Sequence, residues 1–318
     1  MRCGAELSVL LNVLLLGVVL PAAGQPPRGP RIEAVDVLST KSDVEGRRSI
    51  IDRITGKPDE QIFVRPYAAA WIGNSLFVTD PGTSSILQLV EGKIVRRFTP
   101  ERMETPVGIA ECNDAIFVTD SSRGRIGSYD KSMSRWEWLD IELVRPTGVA
   151  CMEEHLFVVE TGLHRVVELR NGAIVRKFGE RGSGDGQFNF PTLIVISNAG
   201  EIFVGDSMNF RIQRFNLNGG FMGAFGSLGD SPGSMPRIKG VAIDDAGNLW
   251  VSDAHLDRVA VYDRDGRFLL DVGRGGQEPG AFSFPAGIAI RGDRVAIVDS
   301  LNRRVQILGV ETATEASP

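Results

Sequence analysis

Histidine and cysteine are scarce in this chain, at three residues each among 318. So few histidines leave little for an imidazole-based zinc site, which needs several rings converging on one ion. There is no C-x-x-C-H haem-attachment motif, so a redox role would run through a partner. Basic residues are outnumbered by acidic ones: the net charge is −5 and the pI is near 5.4. General nucleic-acid binding needs a clustered basic surface to displace counterions, so nucleic acid is not an expected partner. No nucleophile elbow joins a strand to a helix, and no Ser-His-Asp arrangement can be placed. The glycine-rich Gly182-Ser183-Gly184-Asp185-Gly186 lacks the Lys-Ser/Thr end of a phosphate loop and reads as a connector.

Long apolar runs are missing too. The one candidate, Leu7 to Leu20, is broken by Asn12 and Gly17 and falls short of the ~20 residues of a spanning helix. Preceded by Arg2 and followed by Pro21-Ala22-Ala23-Gly24, it predicts an export signal over residues 1–24, cleaved before Gln25. The mature protein is then expected in the periplasm or outside the cell, with no stable membrane span. Cleavage removes Cys3 and leaves Cys112 and Cys151. Along the repeat described next, these two sit one residue out of register in neighbouring units. Adjacent strand positions point to opposite faces, so two separate half-buried thiols are expected.

What the chain has in plenty is glycine, 37 residues without a collagen period, and internal repetition. Hydrophobic–acidic strand ends recur as LFVTD (Asp80), IFVTD (Asp120), LFVVE (Glu160), IFVGD (Asp206), LWVSD (Asp253) and VAIVD (Asp299), spaced by 40, 40, 46, 47 and 46 residues. Twelve or thirteen residues before each acid stands a small or apolar residue that opens an apolar strand: Ala68, Gly108, Gly148, Leu193, Gly240 and Gly287. Five residues after the acid an arginine recurs (Arg125, Arg165, Arg211, Arg258, Arg304), with Ser85 in its place in the first copy. Each unit holds four short segments of period-2 alternation, A to D, separated by Gly/Asn/Asp turns. The expectation is an all-β fold, a six-bladed β-propeller of four-stranded blades.

The D-x-x-N-x-R and D-x-H-x-x-R patterns (Asp206-Asn209-Arg211, Asp253-His255-Arg258) and the G-x-F-x-F-P connectors (Gly186 to Pro191, Gly280 to Pro285) resemble NHL repeats over residues 65–310. The leader and the stretch Val64-Arg65-Pro66-Tyr67 resemble exported bacterial NHL propellers. The resemblance implies the fold far more than an activity, because the scaffold hosts enzymes, RNA binders and inert scaffolds alike. Relatives of this kind sit alongside multihaem electron-transfer proteins, so an electron-transfer protein is one partner the resemblance implies. A sixth blade opening at Ala286 has material for three strands before a polar tail, 311–318. Its fourth strand is expected from the N-terminus, at about residues 32–38, which leaves no exposed edge in the ring. The rest of 25–64 is a long connector, in which Ile50, Ile51 and Ile54 have the spacing of a short amphipathic helix.

Propeller topology turns spacing into geometry. The B–C loops and D–A connectors emerge on one face, and the A–B and C–D turns on the other. The first face is the larger and more varied, hence the place to seek function. The acid–Arg pairs lie on it, but regular repetition is better read as structural, each pair tying its own B–C loop by charge-assisted hydrogen bonds. Residues that break the repeat are the candidates for contact with a ligand or partner: Arg123, His164, Phe210, His255 and Arg303 on the B–C loops. The residues just before the inner strands read Arg65, Thr105, Arg145, Phe190, Arg237 and Phe284. Arg65, Arg145 and Arg237 would suit an anionic or aromatic group, while the two phenylalanines are expected to tuck under the connectors.

Six-bladed relatives include calcium-dependent lactonases and zinc-dependent lyases of amidated glycine peptides. Calcium wants several hard oxygen ligands, whereas this mouth offers Arg and Phe with only Glu104 nearby. His155 precedes strand B, so it belongs to the face opposite His164 and His255, which themselves stand in blades 3 and 5. The expected function is therefore a non-enzymatic extracytoplasmic binding or scaffold propeller, without catalytic residues, metal or cofactor. Its partner would be another exported protein or an anionic ligand. The alternative is a metal-dependent hydrolase or lyase, which would need a carboxylate such as Asp52 or Glu60 brought over the mouth.

Overall fold

Period-2 alternation becomes hydrogen-bonded sheet throughout the computed structural model, which describes residues 31–40, 43, 60–113, 115–130 and 135–311. The expected leader, the helix at Ile50, Ile51 and Ile54, Asp52, and the tail beyond Glu311 lie outside those residues. Among the described residues, twenty-four strands form six antiparallel sheets of four. Five sheets use consecutive strands. The sixth runs from Pro285–Arg291 through Arg294–Asp299 and Arg304–Glu311 to the N-terminal strand Arg31–Leu38. The six-bladed propeller with N-terminal closure is thus the fold, and the closing strand is Arg31–Leu38. Ala34 pairs with Leu308 and Asp36 with Ile307, so Val35 is an extra, bulged residue, 61% exposed.

Burial follows position within the blade. Second strands such as Ser75–Asp80 and Leu249–Asp253 are buried at every residue, because both their faces meet a neighbouring blade. Outer strands such as Ala173–Phe178 alternate between exposed and half-buried. The core is accordingly divided into six apolar clusters, one at each junction between adjacent blades. At the junction of blades 3 and 4, Phe157 and Val166 meet Phe188, Val204 and Phe215. Each fully buried side chain of this size contributes ~1.5–3 kcal/mol, so stability is spread around the ring. Near the axis four inner-strand positions come too close to the next blade for a side chain. A Cβ on Gly108 would collide with the Thr147 carbonyl oxygen of the next blade, and one on Gly240 with that of Ala286. That steric limit is the physical content of the glycine that recurs at this place in four blades, whereas blade 4 carries Leu193 there, opposite Gly205.

The expectation of two separate thiols is overturned. Cys112 and Cys151 form a disulfide with Cα atoms 5.3 Å apart, joining the inner strands of blades 2 and 3. The one-residue offset between them is the reason. Two neighbouring blades face each other with opposite sides of their sheets, so positions that would diverge within one sheet converge across the junction. Such a bond persists in oxidising compartments. Among the described residues no helix is long and apolar enough to cross a membrane. With its ends 39 positions apart in sequence, the bond is expected to stabilise the fold by about 2–4 kcal/mol. A Cys112→Ser/Cys151→Ser variant should therefore melt several degrees lower. Thiol titration of unfolded, unreduced residues 25–318, which lack Cys3, should find no free thiol, and a full complement of two would show the pair unlinked.

Candidate binding site at the channel mouth

Each blade holds its segment of the mouth by the same device. The buried acid ending the second strand accepts backbone N–H bonds from the connector that leads into the inner strand. Asp80 accepts from Val64 and Arg65 at 2.8 and 2.9 Å, Asp120 from Glu104 and Thr105 at 2.6 and 3.0 Å. Glu160 accepts from Val144 at 2.9 Å, Asp206 from Asn189 at 2.7 Å, Asp253 from Arg237 at 3.1 Å and Asp299 from Ser283 at 2.7 Å. The acids are thus structural anchors for the mouth.

The repeated arginines complete the anchor in three blades: Arg165 on Glu160, Arg211 on Asp206 and Arg304 on Asp299, at 2.6, 2.9 and 2.7 Å. Arg211 and Arg304 also donate to connector carbonyls, including those of Gln187 and Ala281. The pairing expected in blade 5 fails, because Arg258 turns outward to Asp271 of the outer strand. In blade 1, where Ser85 replaces the arginine, Arg97 of the outer strand reaches Ser85 and the Ile62 carbonyl at 3.2 and 3.0 Å. In blade 2, Arg125 is exposed and Ser122 hydrogen-bonds Asp120 at 3.3 Å.

The eight singled-out residues separate into groups. Arg65, Arg145 and Arg237 stand exposed around the mouth. Arg123 forms an ion pair with Glu104 at 2.6 Å. His164 is buried, and its Nδ1 accepts the Phe190 backbone N–H at 3.1 Å. Its ring centroid lies 4.5 Å from that of Phe190. Phe210, half-buried, and Arg303, exposed, occupy left-handed positions on the B–C loops of blades 4 and 6. His255 is exposed, with its backbone N–H on Asp253. His155 lies at the start of the second strand of blade 3, bonded to buried Glu168 at 2.7 Å. The phenylalanines under the connectors are Phe188 and Phe282, both 0% exposed, whereas Phe190 is 38% exposed at the mouth. Gly229-Asp230-Ser231-Pro232-Gly233 fits the letters G-x-S-x-G but lies in the connector before blade 5, followed by a strand rather than a helix.

Two mouth residues escaped the sequence reading. Lys239 and Tyr67 occupy one column, two residues after the mouth positions, which elsewhere reads Val107, Thr147, Thr192 and Ala286. Both line the narrow central channel, about 80 Å³, against the inner-strand glycines. The break in an otherwise small column was the available signal. Burial lowers the Lys239 pKa below the ordinary lysine value, and the Arg237 and Arg145 charges push it the same way. Enclosure raises the Tyr67 phenol, opposed by Arg145 and Arg65. Above the channel a cavity of about 340 Å³ opens between blades 3, 4 and 5, lined by Arg145, Arg237, Lys239, Phe190, Met208 and Pro236 together with Thr161, Thr192 and Ser207. Arg237 also sits over the Phe284 ring, 4.8 Å from its centroid. Among the described residues no group of three or more His, Cys, Asp or Glu side chains converges as a metal site.

No family model matches the chain. By fold it is similar to virginiamycin B lyase from Staphylococcus aureus, at 15% identity and TM-score 0.57, covering 77% of this chain and 80% of that one. It is similar to an auxiliary nutrient binding protein from Bacteroides ovatus, at 12% identity and TM-score 0.64, covering 79% and 71%. A gluconolactonase from Xanthomonas campestris aligns over 90% of this chain and 99% of its own, at 14% identity and TM-score 0.59. At such identities the likeness establishes a shared six-bladed β-propeller fold and nothing narrower.

Proposed function

We propose that this is an exported, NHL-type binding propeller that takes an anionic ligand, or an acidic patch of another extracytoplasmic protein, at its channel mouth. The observation that carries this reading is four cations around one opening. Arg65, Arg145, Arg237 and Lys239 form no ion pair among the described residues. Like charges gathered without counter-charges repel one another, and an anion relieves that repulsion while gaining charge-assisted hydrogen bonds. Burial lowers the Lys239 pKa first, and the Arg237 and Arg145 charges add to it. A nutrient binding protein among the fold neighbours is in keeping with a ligand role. An electron-transfer partner, as the NHL resemblance implies, would meet this face through an acidic surface. The metal-dependent alternative lacks convergent carboxylates among the described residues.

Thermal melts against a panel of small carboxylates and phosphates test the reading. A ligand at about 100 times its dissociation constant adds ~2.7 kcal/mol of stability, readily seen as a rise in Tm. The rise should be absent with uncharged analogues and lost in an Arg145→Ala/Arg237→Ala variant. It should also fade as pH is raised through the depressed Lys239 pKa, because the ammonium is then lost. A rise that persists undiminished in the double variant would overturn the reading.

A further inference from the structure

The cations of the mouth are not evenly distributed. Blade 3 supplies Arg145 and blade 5 supplies Arg237 and Lys239, while blade 4, between them, presents Phe190 and Met208, which are 38% and 52% exposed. Two large apolar side chains left open beside three unpaired cations make a cavity with one charged side and one apolar side. Its volume of about 340 Å³ lies at the small end of the range for small-molecule sites. The apolar side is preorganised. The Phe190 backbone has φ +49°, its N–H is fixed on buried His164, and its ring packs on the imidazole. The Thr192 and Ser207 hydroxyls, bonded to each other at 2.5 Å, add polar groups to the lining.

We propose that this cavity binds a small amphipathic monocarboxylate, with the carboxylate held by Arg145, Arg237 and Lys239 and an aryl or branched alkyl body laid against Phe190, Met208 and Pro236. This rests on the anion reading above and narrows it to a ligand class. Guanidinium groups match a carboxylate in bidentate geometry, and the Arg237 and Phe190 faces accept an aromatic ring. A bare inorganic anion leaves the apolar side wet, and a neutral aromatic leaves the cations unpaired.

Calorimetric titration of the mature protein with 3-phenylpropionate, 3-phenylpropionamide, acetate and inorganic phosphate tests this. The expected result is binding of 3-phenylpropionate, with the amide and acetate each weaker by about tenfold or more, a difference of ~1.4 kcal/mol. Met208→Glu, at an exposed position that leaves the blade intact, should abolish binding while the Tm is retained. Acetate or phosphate binding as tightly as 3-phenylpropionate, with loss in Arg145→Ala, would overturn the amphipathic assignment and leave the anion reading standing. Equal binding of the amide would also overturn the assignment. No binding by any anion would overturn both.

Discussion

Removal of residues 31–38 is expected to abolish the cooperative fold, the largest single effect in this molecule. The strand Arg31–Leu38 pairs with Arg304–Glu311 along its whole length, and it is the fourth strand of the sixth blade. Without it, the strand carrying Val305, Ile307 and Leu308, now 0–5% exposed, becomes an open edge. Leu38 is also withdrawn from the cluster joining blades 6 and 1, and Ile32 and Ala34 from the cluster joining blades 5 and 6. Losing an outer strand's ladder at ~1 kcal/mol per hydrogen bond, plus ~1.5–3 kcal/mol for Leu38, approaches the ~5–15 kcal/mol that holds a typical protein folded. Aggregation on expression is the expected outcome. The milder Leu38→Ala should remain folded but lose ~2–5 kcal/mol, measured by urea unfolding. A truncated protein that melts like the full chain would show that the ring does not need its closure.

The closure was legible because an apolar–polar alternation at the N-terminus stood opposite a blade short of one strand. The six-fold architecture was legible for a related reason. Acid, arginine and small residue recur at fixed spacings because each answers the same local demand in every blade. What the sequence hid were relations between blades. The Cys112–Cys151 bond was missed by reasoning about faces of a single sheet, when the two cysteines belong to sheets that face each other. Arg258 was assigned to Asp253 from spacing, but Asp271 on the outer strand competes for it and wins. Of the mouth, Arg65, Arg145 and Arg237 were readable from their place just before the inner strands. Lys239 and Tyr67 stand one column further in, where a strand's channel-facing residues look like any half-buried alternation. His164, a lone histidine on a loop, read as a free contact residue until its ring was found fixing Phe190.

Asp206→Ala and Asp299→Ala are expected to destabilise the protein by ~3–5 kcal/mol each, because each leaves a largely buried arginine without its carboxylate. Asp299 takes Arg304 Nε, Asn302 Nδ2 and Gln306 Nε2 on one oxygen and the Ser283 N–H on the other. Asp206 holds Arg211, Asn209 and Gln213 in the same pattern, with the Asn189 N–H. Asp253→Ala should cost clearly less, since Asp253 accepts only the backbone N–H groups of Arg237, His255 and Leu256 while Arg258 keeps Asp271. Urea midpoints for the three variants should therefore place Asp253→Ala nearest the wild type, and an equal loss in all three would show that the arginine pairing adds nothing beyond the backbone anchor. The consequence reaches the binding face. Asn189 precedes Phe190, so in Asp206→Ala the apolar side of the cavity loses one of its tethers, while His164 and the Met208 N–H on the Asn189 carbonyl remain. Asp299→Ala instead loosens the connector before Phe284, which carries Arg237 over its ring but does not itself line the cavity. Anion binding should weaken in Asp206→Ala more than in Asp299→Ala at matched stability, which separates the role of these acids in holding the ring from their role in shaping what the ring presents.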